Sequence, residues 1–122
     1  MRSSEIRQRE ELVHAELPSH DPKLGFSNLP EPLHSYAHQV SSYYNMIGYL
    51  VMLRVVDERI AILPLHYRAL KTWRLVKPYV YGERALRNNS HSFMNALEAF
   101  AMKMESMDIA ALMEKAERSI RS

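Results

Sequence analysis

Apolar residues recur along most of this chain at steps of three and four, the spacing of a helix with one buried face. The clearest run passes through Leu33, Ala37, Val40, Tyr44, Ile47 and Val51. A second row, Tyr36, Tyr43 and Leu50, repeats every seven residues beside it. Together they predict one unusually apolar helix from about Leu33 to Leu53, touching neighbours on two sides or touching a second subunit. Gly48 sits inside it at a cost in helix propensity, which predicts another helix crossing close at that point.

The flanking segments are simpler. Glu5 to Leu17 reads as a short helix, ended by Pro18. Pro18 to Pro30 is dense in turn formers and reads as a loop, tacked down by Leu24, Phe26 and Leu29. The apolar helix begins after Asn28 or Pro30, with Pro32 acceptable in its first turn. Val55-Val56-Asp57-Glu58 reads as a short connection, with Asp57 capping the next helix. That helix carries Ile60, Leu63, Tyr67, Leu70, Trp73, Val76 and Val80. Pro64 falls in its first turns or kinks it, Pro78 predicts a bend or break, and Gly82 with Asn88-Asn89 marks the end. Ser90 or Ser92 is the expected cap of a helix through Phe93, Leu97, Phe100, Met104 and Met107. Asp108 is the expected cap of a last amphipathic piece with Ile109, Leu112, Met113, Ala116 and Ile120. Whether these two pieces are one helix is open from the pattern alone.

No useful length of chain alternates in the manner of a strand. The fold class is therefore all-α: a small bundle of about four main helices, with residues 1–30 as an N-terminal helix and Pro-rich loop and 31–122 as the bundle, one domain overall. At 122 residues the chain has room for one core. It has no cysteine, which removes disulfides, thiolate nucleophiles and Cys-ligated zinc from consideration. The longest mostly apolar run, Met46 to Val56, is interrupted by Arg54 and is about half of the roughly 20 residues a membrane span needs. A cytoplasmic protein with no membrane insertion is expected.

Candidate chemistry is sparse. His34 and His38 stand four apart on one helix face, within reach of a shared metal ion, and Glu31 precedes His34 by three. A di-iron bundle needs that motif twice, and there is no second copy. Surface histidines near a helix start account for the pair, and no metal or other cofactor is expected. Net charge is only +2, but Arg68, Lys71, Arg74, Lys77, Arg84 and Arg87 gather in one segment with few acids. Such a stripe can meet nucleic-acid phosphates. Steps of three drift around a helix, however, so the stripe does not form one flat patch, and Arg stems covering the core explain most of it. Tyr36, Tyr43, Tyr44, Tyr49, Tyr67 and Trp73 could line a small-molecule pocket, although aromatics at helical spacing more often form core. Three glycines leave no phosphate-cradling loop, and no catalytic triad or nucleophile elbow is visible.

Three stretches carry a family likeness: Ser42-Tyr43-Tyr44-Asn45-Met46-Ile47-Gly48-Tyr49-Leu50-Val51 with Val55-Val56-Asp57; Tyr67, Trp73, Lys77-Pro78-Tyr79-Val80 and Glu83-Arg84; and Asn88-Asn89, Phe93, Leu97-Glu98. Over roughly Leu33 to Met104 the chain resembles a family of small bacterial helical proteins classified only as a domain of unknown function. The resemblance implies a helical fold and carries no activity to transfer. Read physically, Tyr43, Tyr44 and Trp73 are anchors, and Arg84 is placed to bond helix carbonyls or an acid such as Glu58 or Glu98. The two-sided apolar helix, with Met102, Met104, Met107 and Met113, points to a non-catalytic protein-interaction or regulatory module. It is expected to be a homo-oligomer, with Tyr36, Tyr43 and Leu50 as candidate interface residues. Nucleic-acid binding through residues 68–87, and a metal or small-molecule bundle, are the alternatives.

Overall fold

The computed structural model of the chain describes residues 3–121; the side chain of Ile60, expected on an apolar helix face, lies outside the described residues. Five α-helices follow in order: α1 (Ser3–Glu16), α2 (Leu33–Met52), α3 (Glu58–Leu86), α4 (Asn95–Ser106) and α5 (Ile109–Arg121). No strand occurs among the described residues, so the chain is all-α.

The apolar run beginning at Leu33 forms α2, and α1, α3 and α4 all pack against it. This answers what its wide apolar surface is for: most of it is covered within the chain. Leu33, Ala37, Val40 and Tyr44 are fully buried, together with Trp73 and Val76 of α3 and Leu97 and Phe100 of α4. Burial of side chains this large is worth about 1.5–3 kcal/mol each.

Gly48 marks the closest crossing, as its position in the pattern predicts. A Cβ there would lie 2.5 Å from the Ala96 carbonyl oxygen and 2.9 Å from the carbonyl carbon, so α2 and α4 meet backbone to backbone. The neighbouring residues finish the contact. Asn45 Oδ1 accepts from the Leu97 N–H at 2.8 Å, and the Tyr49 hydroxyl donates to Asn95 Oδ1 at 2.8 Å. One of the N–H groups left unpaired at the start of α4 is thereby satisfied from α2.

Asp57 caps α3, its Oδ1 accepting from the Arg59 N–H at 2.8 Å. The expected bend or break at Pro78 does not end the helix, which runs unbroken past Gly82 to Leu86. Pro64 and Pro78 are both exposed, and fourteen residues is close to four turns, so they share one face. The carbonyls that proline leaves unpaired can therefore turn to water. Gly82 admits the N-terminal loop: a Cβ there would stand 2.2 Å from the Pro22 carbonyl oxygen.

The loop itself holds two single 3-10 turns, Leu17–Ser19 and Pro22–Leu24. Phe26 and Leu29 are buried and Leu24 half-buried, the anchoring expected of them. Glu83 of α3 holds the loop from below. Its Oε1 accepts from the Phe26 and Ser27 N–H groups at 2.9 and 2.8 Å, and its Oε2 from the Ser27 hydroxyl and Arg87 Nε at 2.6 and 2.7 Å. Burial alone would raise this carboxyl; the bonds from Ser27, Arg87 and Phe26 outweigh it and hold the pKa down to about 2.

One expectation for the C-terminal part is corrected, and one open question is answered. Neither Ser90 nor Ser92 caps a helix; their hydroxyls bond each other at 2.9 Å, and α4 begins only at Asn95, after a left-handed Met94 (φ 59°). The delay has a cause: Phe93 is drawn into the core, edge-on to Phe26 at 5.3 Å, while its carbonyl accepts from Arg84 Nε at 3.0 Å. The last two pieces are separate helices, broken at an extended Met107, with Asp108 Oδ1 accepting from the Ala111 N–H at 3.0 Å. α5 rests on α3 through half-buried Ile109, Leu112 and Ala116, and buries none of its residues fully.

Candidate functional site

The most organised polar cluster joins α1, α2 and α3 around a carboxylate absent from the sequence-based candidates. Glu10 is buried in α1. Its Oε1 accepts from the Tyr44 hydroxyl of α2 and, at 3.4 Å, from the Thr72 hydroxyl of α3; its Oε2 accepts from Arg68 Nε at 3.0 Å. His14, one turn further along α1, meets Thr72 Oγ1 through Nε2 at 3.0 Å. Burial holds the imidazole below its ordinary pKa, against the pull of Glu10. Burial, helped by Glu10, pushes the Tyr44 phenol far up. A neutral phenol, a neutral imidazole and a satisfied carboxylate make a lock between helices. Both Glu10 oxygens are engaged in holding the three helices together.

The basic segment is dispersed by its partners. Arg68 pairs with Glu10, Arg84 with Glu98 at 2.9 Å, Arg87 with Glu83 at 2.7 Å and Arg74 with Glu105 at 3.9 Å. Lys71 and Lys77 stand over the rings of Tyr67 and Tyr81, at 5.9 and 5.8 Å. Three of those acids come from other helices, so the local count of charges overstated the free positive field. Arg84 bonds Glu98, one of the acids expected of it, and the Phe93 carbonyl in the turn before α4 rather than a helix carbonyl.

His34 and His38 each meet a partner through Nδ1. His34 Nδ1 bonds the Phe26 carbonyl at 2.6 Å, while His38 Nδ1 lies 3.4 Å from the Ser42 hydroxyl. Glu31 turns to Ser35, accepting from its N–H at 2.9 Å. Among the described residues no three His, Asp or Glu side chains gather as metal ligands. The aromatics divide as well. Tyr44 and Trp73 are core, whereas Tyr49 and Tyr67 are exposed. Tyr36 and Tyr43 are half-buried against the core, Tyr36 with the Arg9 guanidinium of α1 5.2 Å from its ring centroid. Leu50 is also half-buried.

The exposed apolar surface lies elsewhere, at the end of the bundle where α2 turns into α3. Met52, Leu53 and Val55 are 55, 71 and 68% exposed. Met52 lines a cleft of about 760 Å³ together with Val51, Val56 and Phe100 and the charged Arg54, Glu58 and Lys103; Leu53 and Val55 are its neighbours in the chain. A second cleft, about 330 Å³, opens between α3 and α5, lined by Leu63, Leu112, Ala116 and Ile120. Asp57 and Arg59 line both clefts, so the two adjoin. Ile120 is 85% exposed.

No helix among the described residues is long and apolar enough to cross a membrane. Residues 1–104 match the model of a family described as Domain of unknown function (DUF4760). The matched range stops inside α4 and leaves α5 outside it. No curated protein and no solved structure matches the chain.

Proposed function

The chain belongs to the DUF4760 family, a domain of unknown function, and from that premise we propose that it is a non-catalytic interaction module that self-associates through the apolar end of its bundle. The observation that carries this reading is the exposure of Met52, Leu53 and Val55 at the end of the bundle where two clefts adjoin. Large side chains left this open at one place favour a protein contact over solvent.

A second copy of the chain is the occupant that the charges favour. The rim of the clefts carries Arg54, Arg59 and Lys103 together with Asp57 and Glu58. Lys103 pairs with Glu58, and Arg59 with Asp57 at 3.0 Å. A surface with both signs around an apolar centre complements itself when rotated by a two-fold axis, since each cation can meet the other copy's acid. Nucleic acid or an anionic lipid surface would call for one sign only.

Sedimentation equilibrium over a concentration series tests the reading. The mass is expected to climb from 14.3 kDa toward twice that value. The pair Leu53→Asp and Val55→Asp is expected to weaken association at least tenfold, because each change places a charge where about 1.5–3 kcal/mol of apolar burial is lost. The melting temperature should hold, both side chains being exposed. A monomer at every concentration, or a dimer indifferent to the two changes, overturns the proposal.

A further inference from the structure

We propose that the groove between α1 and α3 binds a small zwitterion of the amino-acid class, with its carboxylate on α3 and its ammonium on α1. The two helices run parallel: Glu10 meets Arg68 and Thr72, His14 meets Thr72, and further along the Tyr79 hydroxyl donates to the Leu17 carbonyl at 2.7 Å. Between their outward faces lies an open groove of about 420 Å³, a size suited to a small ligand.

Glu10 and Arg68 pair across the groove, and beyond that pair its two sides differ in charge: the α3 side presents Lys71, which shares a face with Arg68 at a spacing of three residues, and the α1 side presents exposed Glu11. Glu10 engages Arg68 through Nε, which fixes the guanidinium plane and leaves its terminal nitrogens for a carboxylate, the planar partner that guanidinium grips best. Lys71 stands one turn on, adding a second donor. Glu11 is exposed and unburdened by any hydrogen bond to a neighbouring helix, so it suits an ammonium. His14 lines the floor, and burial disfavours its cationic form, so it does not repel that ammonium. Tyr67, 67% exposed at the rim, offers a ring face on which the ligand's apolar body can lie. A groove with Lys71 on one side and Glu11 on the other discriminates against a simple anion or cation, because each would meet one repelling charge.

The probes are L-phenylalanine, 3-phenylpropionate and 2-phenylethylamine, which carry both charges, the carboxylate alone and the ammonium alone. Each is titrated into the full chain and followed by amide chemical shifts. L-Phenylalanine is expected to move the signals of residues 10–15 and 67–72 with millimolar affinity, a usual strength for a molecule of this size. Each single-charge probe is expected to bind about tenfold more weakly. Lys71→Gln and Glu11→Gln, both at exposed positions, should each weaken L-phenylalanine several-fold and leave the rest of the spectrum in place. Three outcomes overturn the proposal: no movement at these residues, equal responses to the three probes, or binding untouched by either substitution.

Discussion

Replacing Glu10 with alanine is expected to cost about 3 kcal/mol of folding stability, although Glu10 stands in a short, largely polar N-terminal helix. The substitution leaves the Tyr44 hydroxyl, fully buried, and the Thr72 hydroxyl without an acceptor, and strips Arg68 of its counter-charge. Breaking one side of a buried ionic network typically costs 3–5 kcal/mol. Arg68 is partly exposed and can swing toward water, which keeps the loss at the lower end. Urea unfolding at neutral pH gives the number. A double-mutant cycle with Tyr44→Phe separates the network from mere loss of volume. Removing both partners should cost less than the two single changes added together, by about 1–2 kcal/mol. Strict additivity would mean that the bond between Glu10 and Tyr44 contributes nothing.

Acid is expected to unfasten the N-terminal loop through Glu83. The carboxyl lies at about 2 in the folded chain against 4.5 in the unfolded one. A group lowered by folding contributes stability above its unfolded value and loses it as pH falls through the folded one. The contribution, about 3 kcal/mol at neutral pH, should therefore fade between about pH 5 and pH 2. Glu83→Gln should be markedly less stable than the native chain at pH 7, and the gap should close as the pH approaches 2. Thermal melts of both proteins at pH 7, 5 and 3 measure that gap. A gap that stays constant with pH would assign the anchoring to shape alone rather than to the charge that binds Ser27, Phe26 and Arg87.

These two acids show where sequence reading succeeds and where it stops. What depends on neighbours in the chain was legible. Asp57 and Asp108 cap the helices they precede, and Phe26 and Leu29 fasten a loop whose prolines announced it. Gly48, costly in a helix, stands where two backbones meet. What depends on partners far along the chain was not. Glu10 looks like any surface glutamate until Tyr44, 34 residues on, and Arg68, 58 residues on, close over it. Pro78 reads as a break by local rules, yet tertiary packing carries α3 through it, because the carbonyl it orphans is on a wet face. The apolar end was half legible. The width of the apolar surface on α2 suggested assembly; Tyr36 and Tyr43 are half-buried against the core, and more exposed apolar residues lie past them at Met52, Leu53 and Val55. Periodicity says that a face is apolar. It does not say which part of that face the chain will cover with its own α1 and α4.

The claim that this open end is where two copies meet is tested most directly by isotope-filtered NOE spectroscopy on a mixture of labelled and unlabelled protein, which reports contacts between molecules only. The account predicts intermolecular contacts from the methyl groups of Met52, Leu53 and Val55, reaching toward Ile120 of α5. Intermolecular contacts centred instead on Tyr36 and Tyr43, or none at a concentration where the mass has doubled, would contradict it.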